Sequence, residues 1–357
     1  MLGCMPRNPV IPSHRVYAPD GATVAVEGTV SIGIVGATRE LANEWSSDPL
    51  IADLKAHKPD FLVLTGDYVA RSTFDEWEAL HRRWDRVLEG VVALPGYGER
   101  RRDRRLEGHG AAFAGQGVPE LRGVPFWHFD IESEGSRWRF VMIDAEAHPL
   151  GTKWRDQLFW LPKVVTGDSY DHLVVAINRP LDELAGSVRP EIAGNVSTLL
   201  RLINDHADPT RLVAVLSGGG ASNNIVLPAG DYGEVHVLAG NAGIAAADLK
   251  REGRRVDRRG KAKIEPGFEA ALDAELNRWV GAGVVSDAGY SPDWESGPWK
   301  ASVMPIVGWW RVELEGSDIA FTFRIRCHDA SHHDLYRIRH TRAHGWKGEP
   351  LAPSAIR

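Results

Sequence analysis

The apolar positions of this chain fall into short runs separated by longer amphipathic stretches, a pattern that predicts strands alternating with helices. Val30–Val35 (VSIGIV) reads as a buried strand that stops at Gly36, with Thr38 placed to cap a helical stretch around Leu41–Trp45. Phe61–Thr65 (FLVLT) repeats the pattern and ends at Gly66-Asp67. It leads into Phe74–Leu88, where Trp77, Leu80, Trp84 and Leu88 recur at helical spacing. Val91–Leu94 runs into Pro95-Gly96, Phe140–Ile143 is a further strand, and Leu173–Ile177 ends at Asn178. Leu199–Ile203 sits in a helix, and Leu212–Leu216 breaks at Ser217-Gly218-Gly219-Gly220. Strong strands that end in Gly, Asp or Asn loops, with helices between them, favour an α/β fold whose sites lie at the strand ends.

The rest of the chain departs from this rhythm. Between Lys250 and Lys263 eight basic residues face only Glu252 and Asp257, with no apolar period, so the segment reads as an excursion. A helix is predicted over Phe268–Val280. Ile306–Leu314 and Ile319–Ile325 then alternate apolar with polar across Glu315-Gly316-Ser317-Asp318, which predicts a β-hairpin. The resulting organisation is a tail over 1–27, a core over 28–245, a basic insertion and helix over 246–300, a hairpin completing the core over 301–345, and a tail over 346–357.

Composition narrows the function classes. With 357 residues, 43% hydrophobic and 25% charged, the chain is long enough to bury a core without staples. Lys plus Arg number 42 against 48 Asp plus Glu, a net charge of −6, so there is no strong nucleic-acid signal and an anionic partner would need a local patch. No run reaches the roughly 18 apolar residues of a membrane helix. Cys4 and Cys327 are the two cysteines, which rules out a disulfide framework. Met1-Leu2-Gly3-Cys4 has the look of the end of a bacterial lipoprotein signal. If translation starts further upstream, Cys4 would carry a lipid anchor, the Pro-containing tail would be its tether, and the protein would belong to the cell envelope. As the chain is given, a cytoplasmic location is expected.

The order of the strand-end loops resembles that of the calcineurin-like metallophosphoesterases, whose signature runs Asp-x-His, Gly-Asp, Gly-Asn-His, a lone His after an apolar strand, then Gly-His-x-His. Gly36–Arg39 stands at the first block, Gly66-Asp67 matches the second outright, and Gly96-Tyr97-Gly98-Glu99 stands at the third. Asn178-Arg179-Pro180 and Gly218-Gly219-Gly220-Ala221 stand at the last two. Asp156-Gln157-Leu158 and Trp160-Leu161, opening a helix, and a terminal strand pair agree with the family as well. The resemblance spans roughly 28–325 apart from 246–300. It implies a four-layer αββα sandwich of two mixed β-sheets flanked by helices.

The same resemblance implies two divalent metals roughly 3.5–4 Å apart, which clamp a phosphate and lower the pKa of a bridging water. Such a clamp is built from carboxylates and imidazoles. By the matched positions, the first Asp is Ala37 and its His is Arg39; the Asn is Tyr97 and the leaving-group His is Gly98. The lone His is Asn178, and the final pair are Gly219 and Ala221. Only Asp67, the bridging position, keeps ligand chemistry. No cofactor is therefore expected, the alternative being a divalent Mn, Fe or Zn at a nonstandard site that includes Asp67. A buried Asp67 without metal needs a counter-charge, and Arg39 is the expected partner. Loss of two imidazoles at 98 and 219 is expected either to open a cavity or to let Tyr97 fill it.

Residue chemistry marks further candidates. Arg39, Asp67, Tyr97, Arg100, Asn178, Arg179, Ser222 and Asn223 share these loops and suit an anion or sugar, or equally a repacked and hydrated face. The basic runs Arg100–Arg105 and Lys250–Lys263 can grip phosphate, anionic lipid or an acidic partner, or be solvated loops. Cys327, His328, His332 and His333 cluster after the last strand as possible metal residues, but their irregular spacing and the want of a carboxylate shell favour a structural or surface role. His109, His128, His148 and His172 match no ligand position, and no Gly-x-Ser-x-Gly elbow exists for a nucleophilic serine. Trp127, Trp138, Trp160, Trp309 and Trp310 read as core. The function expected is a catalytically degenerate phosphoesterase relative that binds a ligand or protein partner through the former active-site face. The alternative is an active divalent-metal phosphoesterase.

Overall fold

The computed structural model describes residues 22–36, 44–69, 71–84, 91–100, 125–148, 151–179, 190–218, 223–226, 234–239, 255–256, 262–263, 308–326, 332–341 and 344–350. The strands, in chain order, are β1 Ala22–Val26, β2 Val30–Val35, β3 Phe61–Leu64, β4 Val91–Ala93, β5 Trp127–Ser133, β6 Ser136–Ile143, β7 His172–Ile177 and β8 Leu212–Ser217. Then come β9 Asn223–Val226, β10 Val235–Ala239, β11 Arg255–Val256, β12 Ala262–Lys263, β13 Gly308–Glu315, β14 Asp318–Arg326, β15 His332–Thr341 and β16 Gly345–Pro350. The helices are α1 Glu44–His57, α2 Phe74–Trp84, the single turn α3 Tyr97–Arg100, α4 Thr152–Val165 and α5 Pro190–His206.

Two seven-stranded sheets carry the fold, ordered β1-β5-β6-β7-β8-β10-β9 and β16-β15-β14-β13-β2-β3-β4. Both are mixed: β2-β3-β4 and β6-β7-β8-β10 run parallel, while β13 to β16 form an antiparallel meander on the free edge of β2. Period-two alternation explains how the sheets stack. Ile32, Ile34, Phe61 and Val63 of one sheet pack against Phe129, Phe140, Met142 and Val174 of the other in a single core. The opposite faces bury against helices: Val35, Leu62 and Leu64 meet Leu50, Leu54 and Trp77 of α1 and α2. Val141, Val175 and Val215 meet Leu161 of α4 and Leu199 of α5. The expected αββα sandwich of two mixed sheets is the observed architecture.

The predicted strands at 30–35, 61–65, 91–94, 140–143, 173–177 and 212–216 are all present, and Phe74–Trp84 is helical. The predicted hairpin closes with Glu315 paired to Asp318 and Gly316 at φ 57°. Asp156-Gln157-Leu158 lies in the middle of α4 rather than at its start. Two tail boundaries shift. Ala22–Val26, placed in the N-terminal tail, pairs in parallel with β5, and Gly345–Pro350, placed largely in the C-terminal tail, pairs with β15. Both are edge strands, whose short alternating patterns are weak signals. Most of 246–300, including the predicted helix at 268–280, lies outside the described residues; within it Arg255–Val256 pairs with Ala262–Lys263. Trp127, Trp138, Trp309 and Trp310 are buried as expected, with Trp160 partly so.

Strand β5 has no continuous apolar run; its signal is the alternation of Trp127, Phe129 and Ile131 with His128, Asp130 and Glu132. Asp130 is nevertheless buried, since Arg139 on β6 reaches it through two guanidinium nitrogens, each at 2.8 Å. Trp138 ties one sheet to the other: its indole N–H donates to the Gly316 carbonyl at 2.8 Å. Replacing Trp138 by Phe should lower unfolding free energy by about 1–3 kcal/mol, because the Gly316 carbonyl loses its donor and packing volume is lost. Urea unfolding of the two proteins tests this; equal midpoints would contradict the tie.

Candidate functional site

The C-terminal ends of β2, β3, β4, β7 and β8 converge, and the five matched loops begin there. The tightest of them follows β3. Gly66 has φ 105° and Asp67 φ 58°, left-handed conformations that Gly adopts freely and Asp tolerates. A Cβ on Gly66 would meet the Gly96 backbone at 3.0 Å, so the loops after β3 and β4 touch main chain to main chain. The turn aims Asp67 inward. Its side chain is fully buried, and Oδ1 accepts the Gly98 N–H at 2.7 Å.

Glu99, in α3, holds these two loops together. Its Oε2 accepts the N–H groups of Asp67 at 2.8 Å and Gly96 at 2.6 Å, and its Oε1 accepts that of Val69 at 2.8 Å. The carboxyl is fully buried. Desolvation and then the neighbouring Asp67 charge push its pKa up to about 7, against the opposing pull of the three N–H groups.

A second buried acid, Asp144, directly follows β6. Gln157 of α4 pins its backbone from both sides, accepting from the Asp144 N–H at 2.8 Å and donating to its carbonyl at 2.9 Å. Arg100 donates to Asp144 Oδ2 at 2.5 Å and thereby bridges the two sheets. Asn178 donates to Asp144 Oδ1 at 2.6 Å and to the Pro95 carbonyl at 2.5 Å, while its own Oδ1 accepts the Ala145 N–H at 2.9 Å. Burial raises the Asp144 pKa, with Arg100 the largest opposing influence. One residue beyond Ala145, Glu146 pairs with Arg179, whose guanidinium also lies 5.9 Å from the centre of the Tyr97 ring. Asn195 of α5 fastens the same segment by donating to the carbonyls of Ala145 and Ala147 at 2.7 and 3.0 Å.

The structure thus brings together Asp67, Gly98, Arg100, Asn178, Arg179 and Tyr97 from the sequence-derived candidates. Ala37, Arg39, Gly219, Ala221 and Ser222 lie outside the described residues, and with them the expected Arg39–Asp67 pair; Asn223 begins β9. At Gly98 neither expected outcome holds. A Cβ there would sit 1.8 Å from the Val69 carbonyl oxygen, so main chain occupies the room, and Tyr97 is 41% exposed. Glu99, Asp144, Glu146 and Asn195 escaped sequence reasoning as site residues. A signal for Asp144 existed, since it directly follows the apolar run Phe140–Ile143 as Asp67 follows its own strand.

Similar arrangements of sheets and strand ends occur in solved structures. The chain matches no protein-family model and no curated protein. The structure of PhoD superposes with a TM-score of 0.57 at 12% identity, covering 95% of this chain and 74% of that one. The purple acid phosphatase PPD1 from yellow lupin seeds gives 0.52 at 12% identity, covering 88% of this chain and 54% of that one, so this chain spans about half of the lupin protein. Both belong to the calcineurin-like metallophosphoesterases. This chain has the calcineurin-like metallophosphoesterase fold.

That fold implies a pair of divalent metals, and the described residues at the matched positions do not fit one. The Asn178 amide donates to the Pro95 carbonyl and to Asp144 and accepts the Ala145 N–H, so it is turned to its own chain. Both Glu99 oxygens accept main-chain N–H groups. Among the described residues, no three His, Cys, Asp or Glu side chains are grouped to hold a metal ion. His128, His148 and His172 are described and join no such group; His172 stacks on Trp138 instead, ring centres 4.1 Å apart.

Glu99 sets a pH dependence whose sign follows from its raised pKa. Its folded form keeps a proton that the unfolded chain, near 4.5, has released, so its contribution to stability is full below about 4.5 and is lost as pH rises through about 7. The difference is on the order of 3 kcal/mol. A Glu99→Gln variant removes this titration. The melting temperature of wild type relative to E99Q should therefore fall between pH 4.5 and 7.5, and a constant difference would refute the assignment.

Proposed function

We propose that this protein is a catalytically degenerate relative of the metallophosphoesterases, one that binds a ligand or protein partner through the face formed by the strand-end loops. The observation that carries the reading is Asn178. It stands where the family pattern has a lone metal-binding His, and its amide is engaged with three neighbours of its own chain. The sequence supports the same reading elsewhere, since Ala37, Gly98, Gly219 and Ala221 carry no side-chain donor and Arg39 is a cation. The rim of this face presents Tyr97, 41% exposed, beside Arg179. Arg100 and Arg179, weighed as anion contacts, are already ion-paired with Asp144 and Glu146, which favours a partner that reads shape and an aromatic ring over one that reads charge alone.

A second reading, an active phosphoesterase with a nonstandard metal site, draws on the three buried carboxylates Asp67, Glu99 and Asp144 at adjacent strand ends. Holding acids away from water is costly, and a metal is one way to offset that cost. Two measurements separate the readings. Purified protein should contain Mn, Fe and Zn well below one ion per chain. It should show no Asp67-dependent hydrolysis of an aryl phosphate monoester or diester when those metals are added. Stoichiometric metal with turnover lost in Asp67→Asn would reverse the proposal. A thermal-shift screen with phosphate, sulfate and monosaccharides distinguishes small-ligand binding from a protein partner, because a small ligand that binds the native state raises its melting temperature.

A further inference from the structure

We infer that the helical layer over β6, β7 and β8 is a docking surface for an anionic lipid bilayer, with Phe159 of α4 as the side chain that enters the interface. This surface is separate from the strand-end face and is built from other residues. Phe159 is 72% exposed, the most open of the three large apolar side chains that the described residues expose. One exposed apolar residue is ordinary in itself. Its company is what sets it apart. Arg155, Phe159 and Lys163 stand at i, i+4 and i+8, so they form one stripe along α4, and all three are exposed. Among the described residues neither cation is committed to a carboxylate, unlike Arg100 and Arg179. Helix α5 packs on the same sheet face beside α4. The exposed charges described on the two helices are Lys153, Arg155, Lys163 and Arg201 against Asp156 and Asp205, a local excess of two positive charges in a chain whose net charge is −6. This is the local patch that an anionic partner requires.

A bilayer fits this chemistry better than a protein. Protein interfaces gather aromatic residues into a core from which Lys is depleted. Here a single aromatic tip projects between long cationic side chains. In that arrangement the ring reaches the boundary between headgroups and acyl chains while Arg155 and Lys163 stretch back to the phosphates. Leu158, Trp160, Leu200 and Leu202 are partly buried in the same layer, so further apolar surface lies around the tip. Trp160 packs on Phe126 with ring centres 5.0 Å apart and on His128 of β5 at 6.1 Å, which steadies this part of α4 against the sheet. Docking through the stripe also sets an attitude. Gln157 of the same helix holds the Asp144 backbone, so the strand-end face is carried at a fixed angle to the bilayer.

The test uses the full-length chain and unilamellar vesicles of phosphatidylcholine, alone or with about 30% phosphatidylserine. Co-sedimentation should show binding to the anionic vesicles at least about tenfold stronger than to the neutral ones, and weaker by about tenfold on going from about 50 to about 500 mM salt. Phe159→Ala should weaken binding about fivefold or more, and Phe159→Trp should preserve it, because the ring supplies the apolar area. Arg155→Glu combined with Lys163→Glu should abolish it. Phe74→Ala removes an exposed ring elsewhere and should leave binding unchanged. All these side chains are exposed, so melting temperatures within about 2 °C of wild type are expected, and they separate loss of binding from loss of fold. Absence of binding to the anionic vesicles overturns the inference. So does binding that survives in Phe159→Ala or in the charge-reversed variant, which would assign it to the basic runs Arg100–Arg105 and Lys250–Lys263. Equal loss in Phe74→Ala also contradicts the assignment to α4. Binding to poly-glutamate without binding to vesicles overturns it in favour of an acidic protein partner.

Discussion

A carboxylate removed from water must be met by donors or cations, and the strand-end region is organised around that requirement. Three buried acids lie within the loops after β3, β4 and β6, and each described answer is different in kind. Asp67 meets a backbone N–H, Glu99 meets three, and Asp144 meets a guanidinium, an amide and the N–H of Glu146. The solution that meets these charges also fixes where the loops lie. Helix α3 is one turn long and has no propensity to form alone; it persists because Glu99 binds the loop opposite while Arg100 reaches to the other sheet.

Much of the architecture was visible in the amino-acid order, for a clear physical reason. Strands covered on both faces must be apolar throughout, so VSIGIV, FLVL, HLVVAI and LVAVLS announce themselves, and the loop that follows each is marked by Gly, Asp or Asn. The strands that were missed are those whose burial depends on a partner elsewhere in the chain. Asp130 belongs in a buried strand only because Arg139 lies opposite, and the edge strands Ala22–Val26 and Gly345–Pro350 are defined by pairing more than by their own pattern.

The site was half legible on the same terms. Position in the loop order marked Asp67, Gly98 and Asn178 for attention, and residue chemistry showed which donors were gone. Which way a strand-end amide turns is a matter of the separation between loops, and that separation is not written in any one segment. Asn178 looked like a group available to a ligand; with Pro95, Asp144 and Ala145 within reach it is a crosspiece. Gly98 looked like a missing volume, yet the Val69 carbonyl lies where that volume would be.

The bonds that join the two sheets are concentrated away from the middle of the sandwich. Thr65 donates to the Ala239 carbonyl and Asn178 to that of Pro95, while Trp138 meets Gly316 at the hairpin turn. Between these points the sheets meet through apolar contact, which resists separation but offers little directional resistance to sliding. The polar crosslinks at the rim therefore act as register pins. They couple the opening of one sheet to the opening of the other, so amide protons in β3 and β7 should escape to solvent through the same rare cooperative event despite lying in different layers.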